Sequence, residues 1–218
     1  MNLNQDKLSG KFSLKIKTLN CNLATGGKGF DEPYLLVMPF TESGIVTQYY
    51  LSEPQSQVTN GSIWNLDKEM ILELNDSVPE INILISLYEK DNGQLYGFLK
   101  QQLENNTWPL ILSETKEWAN AWSQIKLKAP SLIKNTALSF SATKLSLEVG
   151  KLLLGALKLI GKQSLKDDDL GSVLLTLNRD SLKVSSLEKR KIEFTGKDSD
   201  YELTLELVCL ENLVDLGV

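Results

Sequence analysis

The chain reads as mainly β: an eight-stranded antiparallel β-sandwich with an inserted α-helical segment. Three observations carry this reading. Apolar residues recur with a period of two through roughly the first 90 residues and again through the last 45, turn residues bound each such stretch, and the stretch between them changes to helical spacing.

The first strand is KFSLKIKTL, which sets Phe12, Leu14 and Ile16 on one face and Lys11, Lys15 and Lys17 on the other, the pattern of a strand with one wet face. PYLLVMPF, IVTQYYL, EMILELN and INILISLYE follow, each bounded by Gly, Pro, Asn or Asp. Beyond the middle of the chain come SVLLTLN, RKIEFTG and DYELTLELVCL, the last with Tyr201, Leu203, Leu205, Leu207 and Cys209 on a common face. Eight short strands with regular turn signals predict a sandwich. The organisation is therefore 1–92 as the first part of the sandwich, 93–165 as a helical insertion, and 166–218 as the remainder of the same sandwich.

Within the insertion, Ser113 is an N-cap candidate and Trp118 and Trp122 stand one helical turn apart. Further on, Lys144, Glu148, Lys151, Lys158 and Lys162 follow three-, four- and seven-residue steps, which line charges along one side of a helix. Leu145, Val149, Leu152, Leu153, Ala156, Leu157, Leu159 and Ile160 make up a wide apolar arc. Residues 129–162 hold five lysines and one glutamate, a local charge of +4, while the whole chain carries −5, so the remainder carries −9. Such asymmetry points to an interaction surface. Lys144, Lys151, Lys158 and Lys162, with Leu153 and Leu157, are the candidate contacts to a membrane or a partner.

Composition narrows the function. With 42% hydrophobic and 23% charged residues the chain buries a core and is not disordered. A net charge of −5 argues against a nucleic-acid partner. There is no histidine, which removes Ser/His/Asp and Cys/His nucleophilic schemes and the HExxH zinc motif. Two cysteines, Cys21 and Cys209, are too few for a zinc cage and read as free thiols in strands. GGKG at 26–29 lacks the spacing of a phosphate loop and reads as a Gly-rich turn. No nucleophile or base motif accompanies the carboxylates, so the chain is not expected to be an enzyme. The amino terminus has no apolar h-region, hence no classical signal peptide, and no long uncharged apolar run exists. The expected location is the cytoplasm or the periphery of a membrane; specialised export leaves no mark of this kind.

The strand ends carry something more specific. FDEPYLLV at 30–37 resembles the S-D-P-Y-V-K-V segment of C2 domains, the calcium- and phospholipid-binding β-sandwiches. SIWNLDKEMILEL at 62–74 resembles their N-P-x-W-N-E-x-F-x-F element, with Trp64 and Asn65 matching. LISLYEKDN at 84–92 is similar to the strand ending in V-x-D-x-D, and DDDLGSVLLTL at 167–177 looks like D-D-x-I-G-x-V-x-I-x-L. The matches occur in family order and cover the chain except for about 70 residues in the middle.

This resemblance implies a C2-like sandwich whose acidic loop, between Asp91 and Asp167, contains the insertion. It implies calcium as the cofactor, with Asp31 (Glu32 as its alternative), Glu89, Asp91, Asp167 and Asp168 as ligands. Calcium takes six to eight oxygen ligands. Here LATGGK lacks the first-loop carboxylate of the family and Glu89 stands where aspartate is usual, so the rim is expected to bind calcium weakly, at a single site, or not at all, its acids then being solvated turn residues.

The function implied is a non-enzymatic membrane-associating module whose basic insertion meets an anionic membrane surface. A toxin or effector that inserts after a conformational change belongs to the same class. The alternative is a structural or interaction subunit of a larger assembly such as a secretion or injection apparatus. In that case the apolar arc is a protein interface and the chain forms an oligomer or depends on a protein partner. A third class, a hydrolase using the carboxylates Glu89, Asp91, Asp167 and Asp168, has no nucleophile or base motif behind it. For the insertion itself the bland reading is packing, with its arc against Trp118, Trp122 or the sandwich and its lysines solvated.

Overall fold

The computed structural model describes residues 8–24, 30–41, 44–45, 49–75, 77–78, 80–91, 94–105, 168–178, 188–195 and 198–214. The helical stretches expected at Ser113 to Lys126 and at 129–162, and so the whole lysine stripe, lie outside the described residues. Described are nine strands and one helix: β1 (Leu8–Leu23), β2 (Pro33–Thr41), β3 (Gly44–Ile45), β4 (Tyr50–Leu51), β5 (Ile63–Leu74), β6 (Glu80–Glu89), α1 (Gln94–Asn105), β7 (Asp168–Asn178), β8 (Glu188–Thr195) and β9 (Asp200–Val214). Two antiparallel sheets result, one ordered β5-β1-β9-β8 and the other β3-β2-β6-β7 with β4 also on β2. The expected strand IVTQYYL is described at its two ends alone, as β3 and β4, each pairing with β2, which brings the described count to nine instead of eight.

The first sheet follows the alternating pattern. Phe12, Leu14 and Ile16 are buried, while Lys11, Lys15 and Lys17 face Glu73, Glu69 and Asp67 at 3.4, 3.9 and 3.0 Å across β5. The outer surface is a ladder of exposed ion pairs, each contributing little to stability. Alternation then breaks. The register shifts between Ile16 and Thr18 on both sides of β1, with Asp67 held at a φ of 40° on the facing strand. A bulge crosses the sheet here, and Asp tolerates the left-handed backbone better than most residues. The phase of β1 slips by one, so Leu19 and Cys21 point inward after Ile16 instead of Thr18 and Asn20.

Cys21 stands opposite Tyr201 and Cys209 opposite Phe12, on neighbouring strands but near opposite ends, and no disulfide joins them. The sequence predicts two buried free thiols; both are free, Cys21 is buried and Cys209 only half-buried.

The second sheet has no wet face along its central pair. Leu35, Val37, Ile81, Ile83, Ile85 and Leu87 join the sandwich core. Their neighbours Tyr34, Leu36, Met38, Phe40, Leu84 and Tyr88, on the opposite face, are equally buried. Near-continuous apolar runs are what strands covered on both sides require. Polar groups on this outer face are satisfied within it: Ser86 and Ser172 hydroxyls lie 2.8 Å apart, and the Thr176 hydroxyl donates to the side-chain Oδ1 of Asn82 at 2.8 Å.

Helix α1 supplies part of the third layer. Leu95 and Leu99, one turn apart, are buried, and the Tyr96 ring meets Tyr34 edge-on at 5.3 Å. Tyr49 donates its hydroxyl to the Leu99 carbonyl, and Tyr96 and Lys100 both hold Glu53, the lysine at 3.0 Å.

Leu35→Ala on the core face and Leu36→Ala on the outer face are each expected to cost about 2–5 kcal/mol in denaturant unfolding. If the outer face were solvated, Leu36→Ala would stay within about 0.5 kcal/mol of the parent.

Candidate functional site

The strand registers bring the acidic strand ends to one rim. Leu23 of β1 pairs with Asp200 of β9, Pro33 of β2 with Glu89 of β6, and Glu89 with Asp168 of β7. The β6 strand therefore finds its partner again at Asp168. A one-residue bulge lies beside it, between Leu87 and Tyr88, where Gly171 adopts a φ of 146°. A Cβ on Gly171 would come within 3.1 Å of the Phe194 ring, so this glycine of the DDLG segment serves both the backbone and the packing.

The two sheets are tied at the rim by one buried bond. Tyr201, from β9, donates its hydroxyl to Oδ2 of Asp31 at 2.6 Å, and Asp31, just before β2, is 1% exposed. Asp31 also forms an isolated bridge with Val58, its N–H donating to the Val58 carbonyl at 3.3 Å and its carbonyl accepting from Val58 at 3.2 Å. That bridge anchors the loop 52–62. Gln55 N–H donates to the Pro33 carbonyl at 2.9 Å, Gly61 N–H to the Cys21 carbonyl at 2.7 Å, and Cys21 N–H to the Ser62 carbonyl at 2.9 Å. Burial first, and then the Asp31 carboxylate, hold the Tyr201 hydroxyl protonated far above the ordinary phenol range. Burial likewise pushes the Cys21 thiol up, partly offset by a hydrogen bond with Tyr201 and reinforced by the Asp31 charge.

Of the ligand set implied by the C2 resemblance, Asp31, Glu32, Glu89, Asp91 and Asp168 lie along this rim. Asp31 reaches the rim in sequence, but its carboxylate is buried and accepts from Tyr201. Glu32, its alternative, pairs with Lys90 at 3.6 Å. Glu89 and Asp168 are brought side by side by the β6–β7 register, and Asp91 follows two residues beyond Glu89. Asp167 lies outside the described residues, as do Lys144, Lys151, Leu153, Leu157, Lys158 and Lys162. Among the described residues no three His, Cys, Asp or Glu side chains converge as a metal site. Calcium needs six to eight converging oxygens, and of the described candidates Asp31 has its Oδ2 accepting from Tyr201.

The rim carries apolar groups that strand alternation did not single out. Leu23 is 46% exposed, Phe30 60% and Ile63 68%. All three sit here: Leu23 at the end of β1, Ile63 at the start of β5 and paired with Asn20, and Phe30 beside Asp31. Their signal in the sequence is an apolar residue next to a turn, in GGKGFDEP and NGSIW. Beneath them a cleft of about 200 Å³ opens between the loop 52–62 and strands β1 and β5, with Cys21 and Tyr201 in its wall.

Comparison with known proteins gives likeness of fold alone. No family model matches the chain, and no curated protein matches it. Among solved structures it is similar over 96% of its length to human GIVD cytosolic phospholipase A2 in complex with methyl gamma-linolenyl fluorophosphonate and terbium chloride, at 10% identity and a TM-score of 0.45. It spans 18% of that phospholipase chain. It is also similar over 92% of its length to the C2-A domain of plant extended synaptotagmin 1, covering 93% of that chain at 9% identity and a TM-score of 0.42.

Tyr201→Phe leaves the Asp31 carboxylate without its hydroxyl donor and is expected to cost about 1–3 kcal/mol near neutral pH. The raised folded-state position of Tyr201 also means that the native state keeps a proton the unfolded state loses above its ordinary value of 10.0, so stability falls as the pH climbs through that range. Denaturant unfolding at pH 8 and pH 10.5 should show a shallower alkaline loss in Tyr201→Phe than in the parent. Equal slopes would contradict the buried tyrosine–carboxylate pair.

Proposed function

We propose that the chain is a non-enzymatic module that attaches peripherally to a lipid surface by the rim of its sandwich. The observation that carries this is the gathering of Leu23, Phe30 and Ile63, three of the five exposed large apolar side chains among the described residues, at one end of the two sheets. Exposed apolar groups gathered beside charged ones mark an interaction surface. Charged groups flank them here, including the Glu32–Lys90 pair.

Asp168, six residues beyond Lys162, stands on this same rim, so the chain itself ties the +4 stretch 129–162 to the apolar end. Each lysine near an anionic surface contributes on the order of 1 kcal/mol, which salt weakens. Among the described residues no helix is long and apolar enough to cross a membrane, in keeping with peripheral attachment. In this reading attachment rests on the apolar groups and the lysines and does not require calcium.

Co-sedimentation with anionic and with neutral vesicles, in calcium and in chelator, tests this reading. Binding to anionic vesicles is expected at equal strength in both conditions. The double variant Phe30→Ser, Ile63→Ser is expected to lose about ten-fold or more in partition, since burying one large apolar side chain is worth about 1.5–3 kcal/mol. Its thermal midpoint should match the parent's, because both side chains are exposed. Binding that requires calcium would contradict the calcium-independent attachment. Absence of binding to any vesicle would contradict the lipid surface and leave a protein as the partner of the rim.

A further inference from the structure

The cleft at the rim differs from the rest of this end in having no charge in its walls. Among the described residues lining it, Gln55, Gln57, Ser56, Ser62, Trp64 and Tyr201 supply the polar and aromatic groups, and none of the lining residues is acidic or basic. Each glutamine amide offers two donors and an acceptor, each serine hydroxyl both a donor and an acceptor, and the indole an apolar face with one N–H.

The absence of Lys and Arg disfavours a phosphate or carboxylate ligand. The buried Asp31 carboxylate behind Tyr201 disfavours any anion further. A volume of about 200 Å³ is below the 300–1,000 Å³ usual for drug-sized ligands and is the room of about seven liquid waters, which suits one small ring.

The loop that closes the cleft is built, not slack. Its backbone is fastened to Cys21, Pro33 and Asp31 by the bonds described above, and Thr59 N–H donates to Ser62 Oγ at 3.0 Å. Gln57 is held at a φ of 61°, a left-handed conformation that a non-glycine residue adopts at a cost and that tends to mark ligand clamps.

We propose that this cleft is a binding site for a neutral polyhydroxylated ring, a saccharide, held by the Gln55 and Gln57 amides against the Trp64 indole. Alternating hydroxyls and C–H faces of such a ring meet amides and an aromatic plane without any charge to desolvate. The ring is either a free glycoside or the headgroup of an uncharged glycolipid. The second source deepens the lipid-surface reading and rests on it; the first does not.

The test uses the full chain, ¹⁵N-labelled, with methyl β-D-galactoside as the free probe and phosphatidylcholine vesicles with or without monogalactosyl diacylglycerol as the lipid probe. The glycoside is expected to shift the Trp64 indole N–H and the backbone amides of 55–57. Gln55→Ala with Gln57→Gly, the glycine chosen because it accepts the positive φ, is expected to abolish the shifts while the thermal melt is retained.

If the source is lipid, the galactolipid raises vesicle binding about ten-fold, as expected for two polar contacts, and the double variant removes the gain. A glycoside shift with no gain from the galactolipid supports the saccharide site and assigns it a free ligand. A glycoside shift with no binding to any vesicle upholds the site while the rim's lipid surface fails. Absence of any shift overturns the proposal, and so does a shift that persists in the double variant. Trp64→Phe, which keeps an aromatic face, should weaken the glycoside shifts at 55–57 without eliminating them; unchanged affinity would overturn the role of the indole.

Discussion

One buried hydrogen bond, Tyr201 to Asp31, sets the terms for this end of the molecule. A carboxylate at 1% exposure is costly unless its oxygens are satisfied, and the tyrosine hydroxyl arrives from the opposite sheet to do so. The bond therefore ties the two sheets at their mouth. It also fixes where the backbone of Asp31 runs, and with it the bridge to Val58 and the loop 52–62. The same bond engages Oδ2 of the aspartate that the C2 resemblance marks as a ligand, and it holds Tyr201 in the wall of the cleft.

The second sheet imposes a different constraint. With β2 and β6 apolar on both faces, the sandwich is not self-sufficient: the outer face must be covered, and α1 covers the part around Tyr34 and Tyr49. Of the crossover between Glu89 and Asp168, the described helix α1 lies on that face, and both strand ends that the crossover connects are on the rim.

Much of the fold is legible in the sequence because a sheet with one wet face writes its period into the chain. Lys11, Phe12, Leu14 and Lys15 show it, and the run from Tyr201 to Leu205 shows it again. The pairing of the acidic strand ends Glu89 and Asp168 also follows from order along the chain, as the C2 resemblance implies. What period alone cannot show is a change of phase. Nothing in KIKTLNC announces that Lys17 and Asp67 stand at a bulge, yet that slip turns Cys21 toward Tyr201 and gives the cleft its wall. Burial of Asp31 and its bond to a tyrosine 170 residues away are equally invisible to residue type and position. Gln55, Gln57 and Phe30 are ordinary turn residues until the loop closes over the sandwich. The lysine stripe from Lys144 to Lys162 lies outside the described residues, so its contribution rests on charge alone.

The central claim is that the rim bearing Leu23, Phe30 and Ile63 is the surface that meets lipid. Hydrogen exchange of the intact chain, compared free and bound to anionic vesicles in chelator, addresses it without any substitution. Slowed exchange is expected at residues 22–24, 30–32 and 60–64, with the outer face of β1, β5 and β9 unchanged. Protection confined to that ladder face around Ile71 and Leu210, with the rim unaltered, would contradict it.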